Sequence, residues 1–104
     1  MYAVNVTIKV QNKLAKDSII LSLKKWSDYL YEENGLILRC FLDKTDNEID
    51  VFHVWESRAG VEKTQKQNSS KFWSEIQEMG GKVTRIYGPC ELEMAKNFKD
   101  LDIN

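Results

Sequence analysis

The sequence predicts an α+β fold, an antiparallel sheet backed by helices on one face, and three observations carry that expectation. Apolar residues alternate at Val4, Val6, Ile8 and Val10, the period of a strand with one greasy face. Farther along they recur at Ile19, Leu23, Trp26 and Leu30, the i, i+4, i+7, i+11 stripe of an amphipathic helix. The third observation is the order in which such segments follow one another, β-α-β-β-α-β.

The first strand runs from Tyr2 to Val10, with Ala3, Asn5, Thr7 and Lys9 on its other face. Asn12 to Glu33 is the first helix, with Lys16, Lys24, Lys25 and Asp28 turned largely away from the apolar stripe, and Asn34-Gly35 closes it because both residues tolerate the left-handed C-terminal conformation. Strands at Leu36 to Leu42 and Glu48 to Trp55 form a hairpin through the turn formers Asp43-Lys44-Thr45-Asp46-Asn47. Ser57 is placed to cap a second helical region. Its early part, Arg58 to Gln67, is polar, its later part carries Phe72, Trp73, Ile76 and Met79 toward the sheet, and the run Lys66 to Ser70 breaks it into two short helices. Gly80-Gly81 ends the second piece. Val83, Arg85 and Tyr87 then alternate with Thr84 and Ile86 as a fourth strand running to Gly88-Pro89, where a ladder must end or bulge. Glu91-Leu92-Glu93-Met94 is expected to prolong that extended edge. The chain is therefore read as one domain over 1–95 with a polar tail over 96–104.

Right-handed split crossovers fold this order into a ferredoxin-like βαββαβ sandwich with both helical layers on the same side. The opposite sheet face then needs a cover. The economical one is a second copy, sheet against sheet, making a homodimeric α+β barrel.

Composition narrows the function classes. The 104 residues are 42% hydrophobic, enough for an independent core without a disulfide or metal staple. Fifteen Lys/Arg against 16 Asp/Glu give a net charge of −1, so nucleic acid and anionic membrane are not expected partners. Cys40 and Cys90 lack any CxxC or CxxH companion, which argues against a metal site. With no basic, apolar leader at the start, a cytoplasmic protein with reduced thiols is expected.

The segment Val51-Phe52-His53-Val54-Trp55-Glu56-Ser57-Arg58-Ala59-Gly60-Val61, after a hairpin and before a helix, together with the helix exit Asn34-Gly35-Leu36, resembles the antibiotic biosynthesis monooxygenase family over about residues 2 to 88. The resemblance implies a homodimeric α+β barrel with a pocket between sheet and helices. It also implies, for many members, oxidation of quinols or polyketide aromatics with no metal, flavin or other cofactor. Where the family commonly has Glu, two residues before its Trp, this chain has His53. Where it commonly has a helix His and then Ser, this chain has Thr64 and Gln67. Asn5 resembles the pocket asparagine of the haem-degrading branch, but that branch's Trp and iron-binding His correspond to Thr64 and a position near Ser74, so haem is not expected.

Each candidate residue has a functional and a structural reading. His53 is the sole histidine, and so either a base near neutral pH or a hydrogen-bonded core residue. Asn5 is an amide in an otherwise apolar strand, and its polar atoms must meet either a ligand or a neighbour. Trp26, Trp55 and Trp73 form either an aromatic slot or ordinary core. Arg39 reaches either a substrate anion or the sheet edge, and Thr64 occupies a family pocket slot. Phe72, Met79 and Tyr87 are expected in the core. In the enzymatic reading, an aromatic quinol is deprotonated by His53, its oxyanion is held by Asn5, and the tryptophans orient the ring. The rival is a noncatalytic dimeric module of the same fold that binds a ligand or only keeps the scaffold.

Overall fold

The computed structural model describes residues 1–26, 33–67 and 70–94, and at 25, 26, 67 and 70–73 it describes the backbone. Its elements are β1 (Tyr2–Lys9), α1 (Lys13–Trp26), β2 (Leu36–Thr45), β3 (Glu48–Trp55), α2 (Arg58–Gln67), α3 (Ser70–Glu78) and β4 (Lys82–Pro89). The strands make one antiparallel sheet in the order β2-β3-β1-β4. β1 therefore sits between β3 and β4, and both crossovers carry helices, as the split βαβ order demands.

The alternation in β1 sorts the sheet into two faces. Val4, Val6 and Ile8 point under the helices and are almost fully buried, joined by Ile49, Val51 and Trp55 of β3, Ile19 and Leu23 of α1, Val61 of α2 and Ile76 of α3. This is the core. Asn12 caps α1 by accepting the Ala15 amide on its Oδ1 at 2.9 Å. Gly35 enters β2 at φ 89, a left-handed conformation that a side chain would strain.

Several expectations are corrected. β2 continues through Asp43, Lys44 and Thr45, leaving only Asp46-Asn47 as the turn. Side-chain pairing holds these polar residues in the ladder: Lys44 meets Glu48 at 3.0 Å, and Lys16 pairs with Asp43 and donates to the Thr45 carbonyl at 2.7 Å. Lys16 is accordingly buried, 2% exposed, and clamps the hairpin to α1 instead of facing solvent. Met79 and Tyr87 are exposed, because β4 is an edge strand that the helices cover incompletely. Glu91 to Met94 are not in a strand: Pro89 ends the ladder, followed by one last backbone bond from Cys90 to Met1 at 3.1 Å. The polar tail 96–104, Leu30 and the Phe72 side chain lie outside the described residues. Among the described residues no helix is long and apolar enough to cross a membrane.

Candidate functional site

Strand alternation decides which candidate residues can meet. In the β1/β3 register Val4 faces His53 while Asn5 faces Phe52, so His53 points beneath the helices and Asn5 lies on the opposite face. One protomer therefore cannot bring these two side chains to one substrate, and the joint base-and-oxyanion arrangement is corrected on that ground.

On the helix side, β2 and β3 set Arg39 opposite His53 and Phe41 opposite Val51. The Arg39 guanidinium lies 5.3 Å from the Phe41 ring centre and donates to the Leu23 carbonyl of α1 at 3.5 Å. Trp55, 2% exposed, meets the His53 ring edge-on with centroids 6.1 Å apart. Burial of His53 first, and the Arg39 charge second, push its pKa down to about 4. The imidazole is thus neutral across the physiological range. It accepts or donates hydrogen bonds there but is a weak base.

Asn5 belongs to a polar cluster on the open face. Its Nδ2 donates to Asp50 Oδ2 at 3.4 Å, and Thr7 Oγ1 donates to Asp50 Oδ1 at 2.8 Å. The Thr7 hydroxyl, then Asn5 and Lys44, hold the Asp50 carboxyl below the usual carboxylate range against the opposing effect of burial. The same face also carries Leu42, Phe52 and Ile86, which are 58%, 40% and 74% exposed.

Thr64 is buried within α2. Its hydroxyl donates to the Gly60 carbonyl at 2.9 Å and accepts Asn34 Nδ2 at 2.8 Å, tying the helix to the chain that enters β2. Trp26 and Trp73 lie in α1 and α3, but their side chains are outside the described residues, so of the three tryptophans only Trp55 is placed.

The structure adds a hollow that the sequence reading missed. Tyr2 of β1, Arg85 and Tyr87 of β4, and Arg58, Val61, Glu62 and Gln65 of α2 line a half-open hollow of about 170 Å³. The Tyr2 and Tyr87 rings are 6.4 Å apart and tilted by 37°. Arg58 Nε pairs with Glu62 Oε1 at 2.9 Å. His53 and Tyr87 flank Val4 from opposite sides, roughly 10 Å apart by strand spacing, and His53 does not line the hollow. One signal was available in the sequence: Arg85 shares its strand face with Val83 and Tyr87, a charge in an inward-facing series.

No protein-family model and no curated protein matches the chain. Solved structures do. A dimeric ferredoxin-like protein from an uncultured marine organism is 16% identical with a TM-score of 0.70, covering 92% of this chain and 100% of that one. A Streptomyces coelicolor monooxygenase, solved with the ligand Nanaomycin D, is 14% identical with a TM-score of 0.70 over 92% of each chain. SnoaB, a cofactor-independent oxygenase from Streptomyces nogalater, is 9% identical with a TM-score of 0.63, covering 91% of this chain and 97% of that one. At such identities the likeness establishes the fold, the ferredoxin-like α+β sandwich expected from the element order.

Proposed function

From that shared fold and the hollow beneath α2, we propose that the protein is a self-associating module that takes a small aromatic molecule between its sheet and its helices. The hollow is the observation that carries this reading, because two tyrosine rings and convergent polar groups in a concave space are what ligand sites are made of. Thr64 and Asn34 hold the wall formed by α2. Self-association uses the other sheet face, where exposed Leu42, Phe52 and Ile86 lose water and the neighbouring Asn5–Thr7–Asp50 cluster sets the register. The free thiols of Cys40 and Cys90 suit a reducing compartment such as the cytoplasm.

A second reading, quinol oxidation, is favoured by the oxygenases among the fold's solved examples. In it the quinol anion supplies the electrons, one oxygen atom of O2 enters the ring and the other leaves as water, so no further reductant is required. His53 does not suit the role of base. With its pKa about 4 and a phenolic hydroxyl near 10, proton transfer is uphill by about 6 units, or roughly 8 kcal/mol. In this reading His53 and Trp55 belong to the buried layer beside the hollow and supply no base to it.

Oxygen uptake with menadiol, measured beside binding of the same ring, separates the two readings. Binding without uptake above autoxidation supports the ligand module. Uptake that survives His53→Gln supports an oxygenase without a histidine base, and absence of any binding refutes both readings.

A further inference from the structure

We infer that the segment Glu91 to Met94 leaves its own sheet and adds as a strand to the free β4 edge of a second copy, an inference that rests on the proposed self-association and names a second contact within it. The two edges of the sheet are built differently. β2 pairs with β3 through two register shifts, between Leu36 and Leu38 and between Asp43 and Thr45, and carries Asp43 and Lys44 near its end. Bulges and charges of this kind keep an edge from pairing with another chain. β4, at the other end of the strand order, pairs with β1 in unbroken register from Tyr2 opposite Pro89 to Lys9 opposite Lys82. Alternate N–H and C=O groups of so regular a strand point away from β1, where no described strand lies. Such an edge accepts an added strand.

The chain beyond β4 supplies the occupant. Cys90 donates its amide to the Met1 carbonyl at 3.1 Å and holds the start of the segment at the end of the sheet. Past that bond Leu92 and Met94 are 61% and 84% exposed. Their spacing places both on one face of a strand, with Glu91 and Glu93 on the other. In strand conformation Glu91 to Met94 spans roughly 13 Å, about half the length of β4, so the whole segment fits along that edge.

Charge and apolar cover both favour the pairing. β1 and β4 carry Lys9, Lys82 and Arg85 and no acidic residue, whereas Glu91 to Met94 carries two acids and no base. On the open side of β4 the exposed Ile86 is covered by the sheet-to-sheet contact already proposed; on the helix side Tyr87, 62% exposed, is not. Leu92 and Met94 laid on the helix side give that ring an apolar neighbour. The same placement turns Glu91 and Glu93 to the side that carries Lys9 and Lys82. Two-fold symmetry makes the exchange reciprocal. Because Tyr87 lines the hollow, each copy then completes the rim of its partner's ligand site.

The test is amide hydrogen exchange by NMR on the full chain, below and above the concentration of dimer formation, with sedimentation on the same samples. On association the β4 amides that do not bond to β1 are expected to slow by at least about tenfold, together with those of Leu92, Glu93 and Met94. Leu92→Pro removes a donor from the exposed segment and is expected to abolish this slowing and weaken the dimer at least about tenfold. Glu91→Lys combined with Glu93→Lys weakens it likewise, and adding Lys82→Glu restores part of the loss. Slowing already complete in the monomer puts a segment of the same chain on the edge and overturns the exchange. Edge amides that stay fast in a dimer that Phe52→Asp dissociates overturn the added strand and leave the open-face contact standing. If sedimentation shows no dimer at any concentration, the self-association reading falls and this inference with it.

Discussion

Replacing His53 by Gln tests the electrostatics on which the assignment of this residue depends. The substitution keeps a neutral hydrogen-bonding side chain of similar size and removes the titration. In the folded protein the imidazole has a pKa of about 4, lowered from 6.5 by burial and then by Arg39. The unfolded chain therefore binds a proton between these values while the folded one does not, so stability falls as pH drops through that window. Full at pH 8, the contribution is reduced by about 2 kcal/mol at pH 5 and by roughly 3 kcal/mol below pH 4. Urea unfolding at pH 8 and pH 5, at one protein concentration, reads this as a parental midpoint shift on the order of 1 M. The His53→Gln protein should lack this part of the shift, keeping only the change that carboxylates give both proteins. An equal loss in parent and variant, or an imidazole NMR titration centred above pH 6, would refute a desolvated neutral histidine and restore His53 as a candidate base.

Other substitutions probe the frame around the site. Gly60→Ala pushes a methyl group into the Asn34 carbonyl, 3.2 Å from its carbon, and backbone cannot rotate aside. The expected cost of about 1–3 kcal/mol exceeds the roughly 1 kcal/mol helix-propensity gain. Gly88→Ala, with nothing within 4 Å of the added carbon, should leave the urea midpoint unchanged or slightly raised, and an equally stable Gly60→Ala protein would contradict the packing of α2. Thr64→Val removes a hydroxyl engaged by both Asn34 and Gly60 and is expected to cost about 1–3 kcal/mol in the same assay. Phe52→Asp places two charges in the symmetric contact proposed for the open face, so sedimentation should move from a dimer toward the 12.1 kDa monomer; a variant that stays dimeric shows that another surface is used.

Local periodicity was enough for the frame. Alternation in β1 and the stripe through Ile19 and Leu23 set elements and faces, because a strand and a helix each bury one side whatever lies beyond them. Less of the site was legible. Asp43 to Thr45 look like turn formers, yet Lys16, from a distant helix, holds them in a ladder. Tyr87 carries the pattern of a core residue, yet the edge position of β4 leaves it open. The sequence by itself determined the α+β class, the order of elements and the inward residues of β1, since these follow from the period of the chain. Only the tertiary structure decided that Asn5 and His53 part to opposite faces, that burial beside Arg39 strips His53 of its basicity, and that Tyr2, Tyr87, Arg58 and Arg85 converge on one hollow. Register and desolvation arise between segments far apart in the chain, where no local pattern reaches.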